Sequence, residues 1–115
     1  MSQEINQVLE TLPSVIQQNL KNVEFLIEEV PSRTMVREVG SRHLLGIYHG
    51  IPLPKRGRGY SFVMPDRIIL YRKNIERTVQ NEDEWKERVR EVVLHEIGHY
   101  LGLNEEEVRK LMEKD

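Results

Sequence analysis

His95, Glu96 and His99 stand in the run Val92-Val93-Leu94-His95-Glu96-Ile97-Gly98-His99-Tyr100-Leu101-Gly102-Leu103-Asn104-Glu105, and their types and spacing fit metal chemistry. Two side chains four apart on a helix share one face, with Cβ atoms about 5–6 Å apart. Two imidazoles so placed reach one zinc ion. Glu96, one step round the helix, can address a water on that ion without being a ligand itself. Gly102 follows the second His by three, and glycine tolerates the left-handed conformation that ends a helix. A turn there swings Glu105 back toward the imidazoles as a third ligand. Because Glu105, Glu106 and Glu107 are consecutive, Glu106 stands as the second choice. Any of the three also suits a solvated helix start, where acids are favoured. Three protein ligands with a position left for water is the arrangement of a catalytic zinc site.

A lone His in a helix more often binds nothing. Here Val89, Val92, Val93 and Tyr100 fall on one side of the pattern and Leu94, Ile97 and Leu101 on the other. The C-terminal half of the helix is therefore apolar nearly all round, and burial is expected. Two His and one Glu inside such a helix are costly without partners, and a bound cation supplies one. His43 and His49 carry no such spacing and are expected in surface or structural roles. Tyr48, Tyr60, Tyr71 and Tyr100 are expected in the core or at its rim.

The rest of the composition narrows the chemistry. The 115 residues contain no Cys, which leaves His, Asp and Glu as the only strong metal ligands. Lys and Arg number 17 against 19 Asp and Glu, a net charge of -2, without the basic excess typical of nucleic-acid binders. Charge is uneven, however: residues 1–32 carry one base and five acids, 33–77 ten bases and three acids, and 78–115 six bases and eleven acids. Lys55, Arg56 and Arg58 concentrate the middle excess. They read as a solvated loop, since no aromatic-basic RNA motif accompanies them. No apolar run approaches the ~18 residues of a membrane span. The start lacks a basic region followed by an apolar one. One domain over 1–115, cytoplasmic, with no nucleic-acid or membrane partner, is the expectation.

The elements that must position the site follow from periodicity. Ile5, Val8, Leu9 and Leu12 predict an amphipathic helix over 3–12. Pro13 ends it and starts another carrying Val15, Ile16 and Leu20. Rough alternation predicts a strand at 23–30, closed by Pro31. Residues 32–43 are polar and give no clear element. Strands are expected at 44–48 and 67–72, a Pro- and Gly-rich loop at 50–59, a short helix at 73–80, and a long helix from Asp83.

The run from His95 to Glu105 resembles the zincin-like metallopeptidases, with the pattern HExxHxxGxx(D/E). Upstream, Leu44-Leu45-Gly46-Ile47-Tyr48, Gly50-Ile51-Pro52-Leu53 and Pro65-Asp66-Arg67-Ile68-Ile69-Leu70-Tyr71-Arg72 are similar to a small bacterial family of that class. The chain departs from the metzincins, which place His at the third ligand position and Met in a later turn. Here Glu105 stands at that position, and Met112 falls in a helical pattern. The resemblance implies a minimal zincin-like α+β domain, a small mixed sheet packed on a long active-site helix.

It also implies a zinc-dependent peptidase acting on peptides or proteins. Zinc would be held by His95, His99 and Glu105, and Glu96 would be the general base toward a zinc-activated water. The alternative is a metal-stabilised module that binds peptides or proteins and hydrolyses little, since so short a chain has little room for deep specificity pockets. The strand at 67–72 is expected at a sheet edge, where it would take substrate backbone as an added strand. The loop at 55–58 would then favour acidic peptides.

Overall fold

The structure, a computed structural model, describes residues 1–50 and 66–113, with side chains through 110. Helix α1 (Ser2–Glu10) and helix α2 (Ser14–Asn19) are separated at Pro13, which caps the second. A short 3-10 turn at Leu20–Asn22 leads into strand β1 (Val23–Glu28). Helix α3 (Arg33–Val39) follows, then strand β2 (Gly46–His49), strand β3 (Asp66–Tyr71) and helix α4 (Arg72–Glu76). The long helix α5 (Glu82–Tyr100) and helix α6 (Glu105–Glu113) complete the fold. It is an α+β fold with a small mixed sheet against one long helix.

Helix α3 lies in the polar stretch 32–43, for which periodicity predicts no clear element. None of its residues is buried, so no apolar stripe marks it. Its ends hold it instead: the Ser32 hydroxyl accepts from the Met35 N–H at 3.1 Å, and Gly40 closes it with φ 85°.

The strand order is β1-β3-β2, with β1 parallel and β2 antiparallel to β3. The strand expected at an edge is therefore central, and the substrate-binding role inferred for it is overturned. The acidic-peptide preference built on that edge falls with it, and Lys55, Arg56 and Arg58 lie outside the described residues. The physical reason is visible in β3 itself. Ile68 and Leu70 are wholly buried on one face, and Ile69 and Tyr71 are 7% and 1% exposed on the other. An unbroken apolar run buried on both faces marks an interior strand. Among the described residues, β1 and β2 form the edges.

The core joins Ile5 and Val8 of α1, Ile68 and Leu70 of β3, Ile75 of α4, and the stripe Val89, Val93, Ile97 and Tyr100 of α5. Each wholly buried Val or Ile of that stripe contributes roughly 1.5–3 kcal/mol. Helix α5 is thereby a rigid base for the residues on its neighbouring face, among them Val92, His95, Glu96 and His99. Asn81 caps its start, its side-chain oxygen accepting from the Glu84 N–H at 2.8 Å.

Candidate metal centre

Helix α5 presents His95 and His99 four residues apart, with ring centroids 4.4 Å from each other. The burial expected all round this helix holds for Glu96, which is 6% exposed. It fails for the imidazoles, whose side chains are 34% and 39% exposed. The helix face that carries them opens to solvent instead of packing into the core. Their fit to a metal therefore rests on what converges around them.

Two carboxylates do. Glu96 Oε2 lies 3.0 Å from His95 Nδ1, and Glu96 Oε1 lies 3.0 Å from His99 Nδ1. Oε1 also accepts from the backbone N–H of Tyr48 at 3.0 Å. That amide is available because of strand register. Tyr71 N–H donates to Leu45 O, and hydrogen-bonded pairs recur at every second residue of an antiparallel ladder. Leu45, Ile47 and His49 thus face β3, and the Tyr48 N–H turns outward onto Glu96. Glu105 approaches from the other side, with Oε2 3.3 Å from His95 Nε2 and Oε1 3.5 Å from His99 Nε2.

The turn between α5 and α6 brings Glu105 there. Gly102 adopts φ 77°, a conformation costly for residues with a side chain. Its N–H donates to His99 O at 3.0 Å, and the Leu103 N–H donates to Gly98 O at 2.9 Å. These are the paired bonds of a Schellman helix end. Asn104 then starts α6: its side-chain oxygen accepts from the Glu107 N–H at 2.8 Å, and Glu107 Oε1 accepts from the Asn104 N–H at 3.0 Å. The three consecutive glutamates are separated by this geometry. Glu107 closes the cap, Glu106 lies 3.9 Å from Lys110, and Glu105 faces the imidazoles.

The electrostatics of the cluster call for a cation. With Glu96 as a carboxylate, both Nδ1 atoms donate to it, and each Nε2 is left with a lone pair aimed at the Glu105 carboxylate. Such acceptors repel unless protons or a metal ion stand between them. For His95, burial works against the charged form, but hydrogen bonding to Glu96 and the charges of Glu96 and Glu105 outweigh it and raise its pKa. Glu105 is held below the usual carboxylate range by the charge of His95 and by hydrogen bonds from His99 and His95. Two imidazoles and a carboxylate are a zinc donor set, and bonds of ~2.0–2.1 Å in a tetrahedron set ligand atoms ~3.3–3.4 Å apart. Glu105 Oε2 at 3.3 Å from His95 Nε2 matches that edge length, and the 3.5 Å approach to His99 Nε2 is made by the other oxygen, Oε1. His95, Glu96 and His99 form a second possible set, their ligand atoms lying within 4.8 Å of one another. The residues present therefore fit a zinc ion.

Neither of the other histidines joins this cluster. His43 lines a separate cleft with Arg42, Asn74 and Arg77, and His49 is exposed at the end of β2. The Tyr48 hydroxyl donates to Asp66 Oδ2 and the Tyr100 hydroxyl to Asn19 O, each at 2.7 Å. Tyr71 is buried, and Tyr60 lies outside the described residues. Sequence reasoning missed the Tyr48 amide, which no side-chain pattern reports. It also missed the Asn104–Glu107 cap, although Asn followed three residues later by Glu was a legible signal.

An α+β fold that gathers two imidazoles and a carboxylate on one long helix, with a second carboxylate from the helix that follows, defines a candidate metal-binding class. The family model of the zincin-like metallopeptidases matches residues 20–114, and the chain belongs to that family. No curated protein matches the sequence. Among the described residues, no helix is long and apolar enough to cross a membrane.

Proposed function

We propose that the protein is a zinc-dependent peptidase whose metal is held by His95 Nε2, His99 Nε2 and the Glu105 carboxylate. The convergence of Glu105 on both imidazoles across the α5–α6 turn is the observation that carries this reading. Zinc, when bound, supplies a Lewis acid that polarises a peptide carbonyl and acidifies water. In this reading Glu96 is the base and not a ligand, and it turns from the imidazoles to reach the water. It is buried, fixed by the Tyr48 amide, and occupied at both Nδ1 atoms, where it orients the imidazoles and raises their basicity as donors. As base it takes a proton from the attacking water and returns it to the leaving amine.

The partners of Glu96 also favour the alternative of a metal-stabilised binding module, because a base must release one of them during turnover. Glu96→Gln separates the two. The substitution keeps the size and a hydrogen-bonding oxygen but removes the base. The amide it turns toward one imidazole Nδ1 weakens zinc binding, so both proteins are compared zinc-loaded, and the peptidase reading expects cleavage of a mixed peptide library to fall by ~100-fold or more. Equal cleavage by both proteins overturns the mechanism. Zinc binding with cleavage by neither favours the binding module.

A further inference from the structure

A cleft of about 370 Å³ opens between the segment after β1, the segment before β2 and helix α4, and it shares no lining residue with the metal centre. Val30 and Pro31 form one side, Arg42 and His43 another, and Asn74 of α4 with Arg77 at its C-terminal end the third. Among the described residues no carboxylate lines it. The basic stretch 33–77, with ten bases against three acids, supplies both arginines and the imidazole. The carboxylates beside the cleft in the chain are engaged elsewhere. Glu29 precedes Val30 and Glu76 precedes Arg77, and both accept from Arg72, Glu29 from Nε at 2.9 Å and Glu76 from Nη1 at 2.7 Å. Among the described residues, the Arg42 guanidinium and the His43 imidazole have no bonded partner, and Arg77 has only Asn74 Oδ1, at 3.4 Å.

Asn74 holds this arrangement together. It is 4% exposed, and burying an amide costs free energy unless its hydrogen bonds are made. Its Nδ2 donates to Arg42 O at 2.9 Å and to Leu44 O at 2.8 Å, and its Oδ1 accepts from Arg77. One buried side chain thus ties the backbone that carries Arg42 and His43 to the guanidinium of Arg77. Two permanent positive charges are kept at one cleft, where like charges repel. An anion between them removes that repulsion.

We propose that this cleft binds the phosphate monoester of a small organic molecule. Two guanidiniums match a phosphate dianion in charge, and each presents a planar fork of N–H donors that fits phosphate oxygens in pairs. The His43 imidazole adds one N–H donor in either tautomer. A carboxylate, with one charge and two oxygens, leaves one guanidinium unmatched. Val30 and Pro31 offer apolar surface to an organic body, which inorganic phosphate lacks. The volume lies at the low end of the ~300–1,000 Å³ range of ligand sites, which suits a small molecule. The site is independent of zinc and of the peptidase reading.

Phenyl phosphate, inorganic phosphate and benzoate are titrated into the full-length, zinc-loaded protein by calorimetry, and NMR locates the bound probe. We expect phenyl phosphate to bind with a Kd below ~1 mM, and the other two at least ~5-fold more weakly. Arg42→Gln and Arg77→Gln should each weaken phenyl phosphate binding by ~10–100-fold, the worth of a charged hydrogen bond. Both residues are exposed, so neither substitution threatens the fold. Arg109→Gln removes the same charge from an exposed position on α6 and should leave affinity within ~2-fold. Amide signals of Arg42, His43 and Arg77 should shift, while those of His95 and His99 stay in place. No binding of phenyl phosphate up to ~10 mM overturns the site, as does equal weakening by Arg109→Gln. Signal shifts confined to His95 and His99 overturn it too, because the probe then sits on the metal. Benzoate or inorganic phosphate binding as tightly as phenyl phosphate overturns the assignment to a phosphate monoester.

Discussion

Gly98, the last residue before His99, controls the distance between α5 and α6. A Cβ at that position would sit 2.4 Å from Val108 Cγ2 and 3.4 Å from Val108 Cβ and Cγ1. Carbon atoms pack at about 3.5–4.0 Å, so in Gly98→Ala the Val108 side chain must retreat by ~1 Å or more. Val108 is wholly buried and lies one turn after Glu105 on α6, so it has little room to move alone. The helix moves with it, and Glu105 is carried off its 3.3 and 3.5 Å approach to the imidazoles. Overpacking of this kind costs ~1–3 kcal/mol. The better helix propensity of Ala returns up to ~1 kcal/mol, for a net loss near ~1 kcal/mol. Loss of ligand positioning should weaken zinc affinity by ~10–100-fold. Denaturant unfolding of the chelated protein reads the first quantity, and competition with a fluorescent zinc chelator reads the second. Val108→Ala removes the clashing methyls, so the double variant should recover zinc affinity close to that of Val108→Ala alone. A Gly98→Ala protein with unchanged zinc affinity refutes the reasoning, as do two substitutions whose effects simply add.

Further outcomes follow from the same geometry. Asn104→Ala removes the side-chain oxygen that accepts from the Glu107 N–H, keeps the backbone N–H bonded to Glu107, should cost ~0.5–2 kcal/mol, and should weaken zinc binding, whereas Asn104→Asp should preserve stability and affinity; calorimetry and chelator competition check this. In the metal-free protein the raised His95 pKa contributes stability that is present at low pH and lost as pH rises through the folded value. The lowered Glu105 pKa contributes stability present at higher pH and lost as pH falls through its own folded value. The pair therefore stabilises the fold in the window between the two. NMR titration should place His95 above the ordinary ~6.5, and Glu105→Gln should bring it down. Because a bound metal displaces that proton, zinc affinity should begin to fall above pH ~6.5 as the solution is acidified; affinity independent of pH from 8 to 5 would contradict this.

The helix bearing His95, Glu96 and His99 was legible because its chemistry lies in local spacing, which a helix converts directly into a shared face. The turn at Gly102 was legible for the same reason, since a left-handed residue after a helix has a residue-type signature. The position of β3 was not. The sequence shows the apolar run Ile68–Tyr71 flanked by Arg67 and Arg72, and those charges fit an edge as well as the ends of a central strand. Only pairing with β1 on one side and β2 on the other decides between them. Helix α3 escaped because its stability comes from its caps and not from buried side chains. The openness of the imidazole face also escaped, because apolar neighbours in sequence do not show which face meets solvent. The choice among Glu105, Glu106 and Glu107 depended on which one closes the cap, a matter of backbone geometry at Asn104.

Whether this cluster holds zinc is read from the metal content of the protein. The protein is purified with zinc available throughout, and the metal per chain is measured by elemental analysis, alongside His95→Ala prepared identically. About one zinc per chain is expected in the first and loss of stoichiometric zinc in the second. Wild-type protein without a stoichiometric divalent metal, or His95→Ala retaining it in full, would contradict the account.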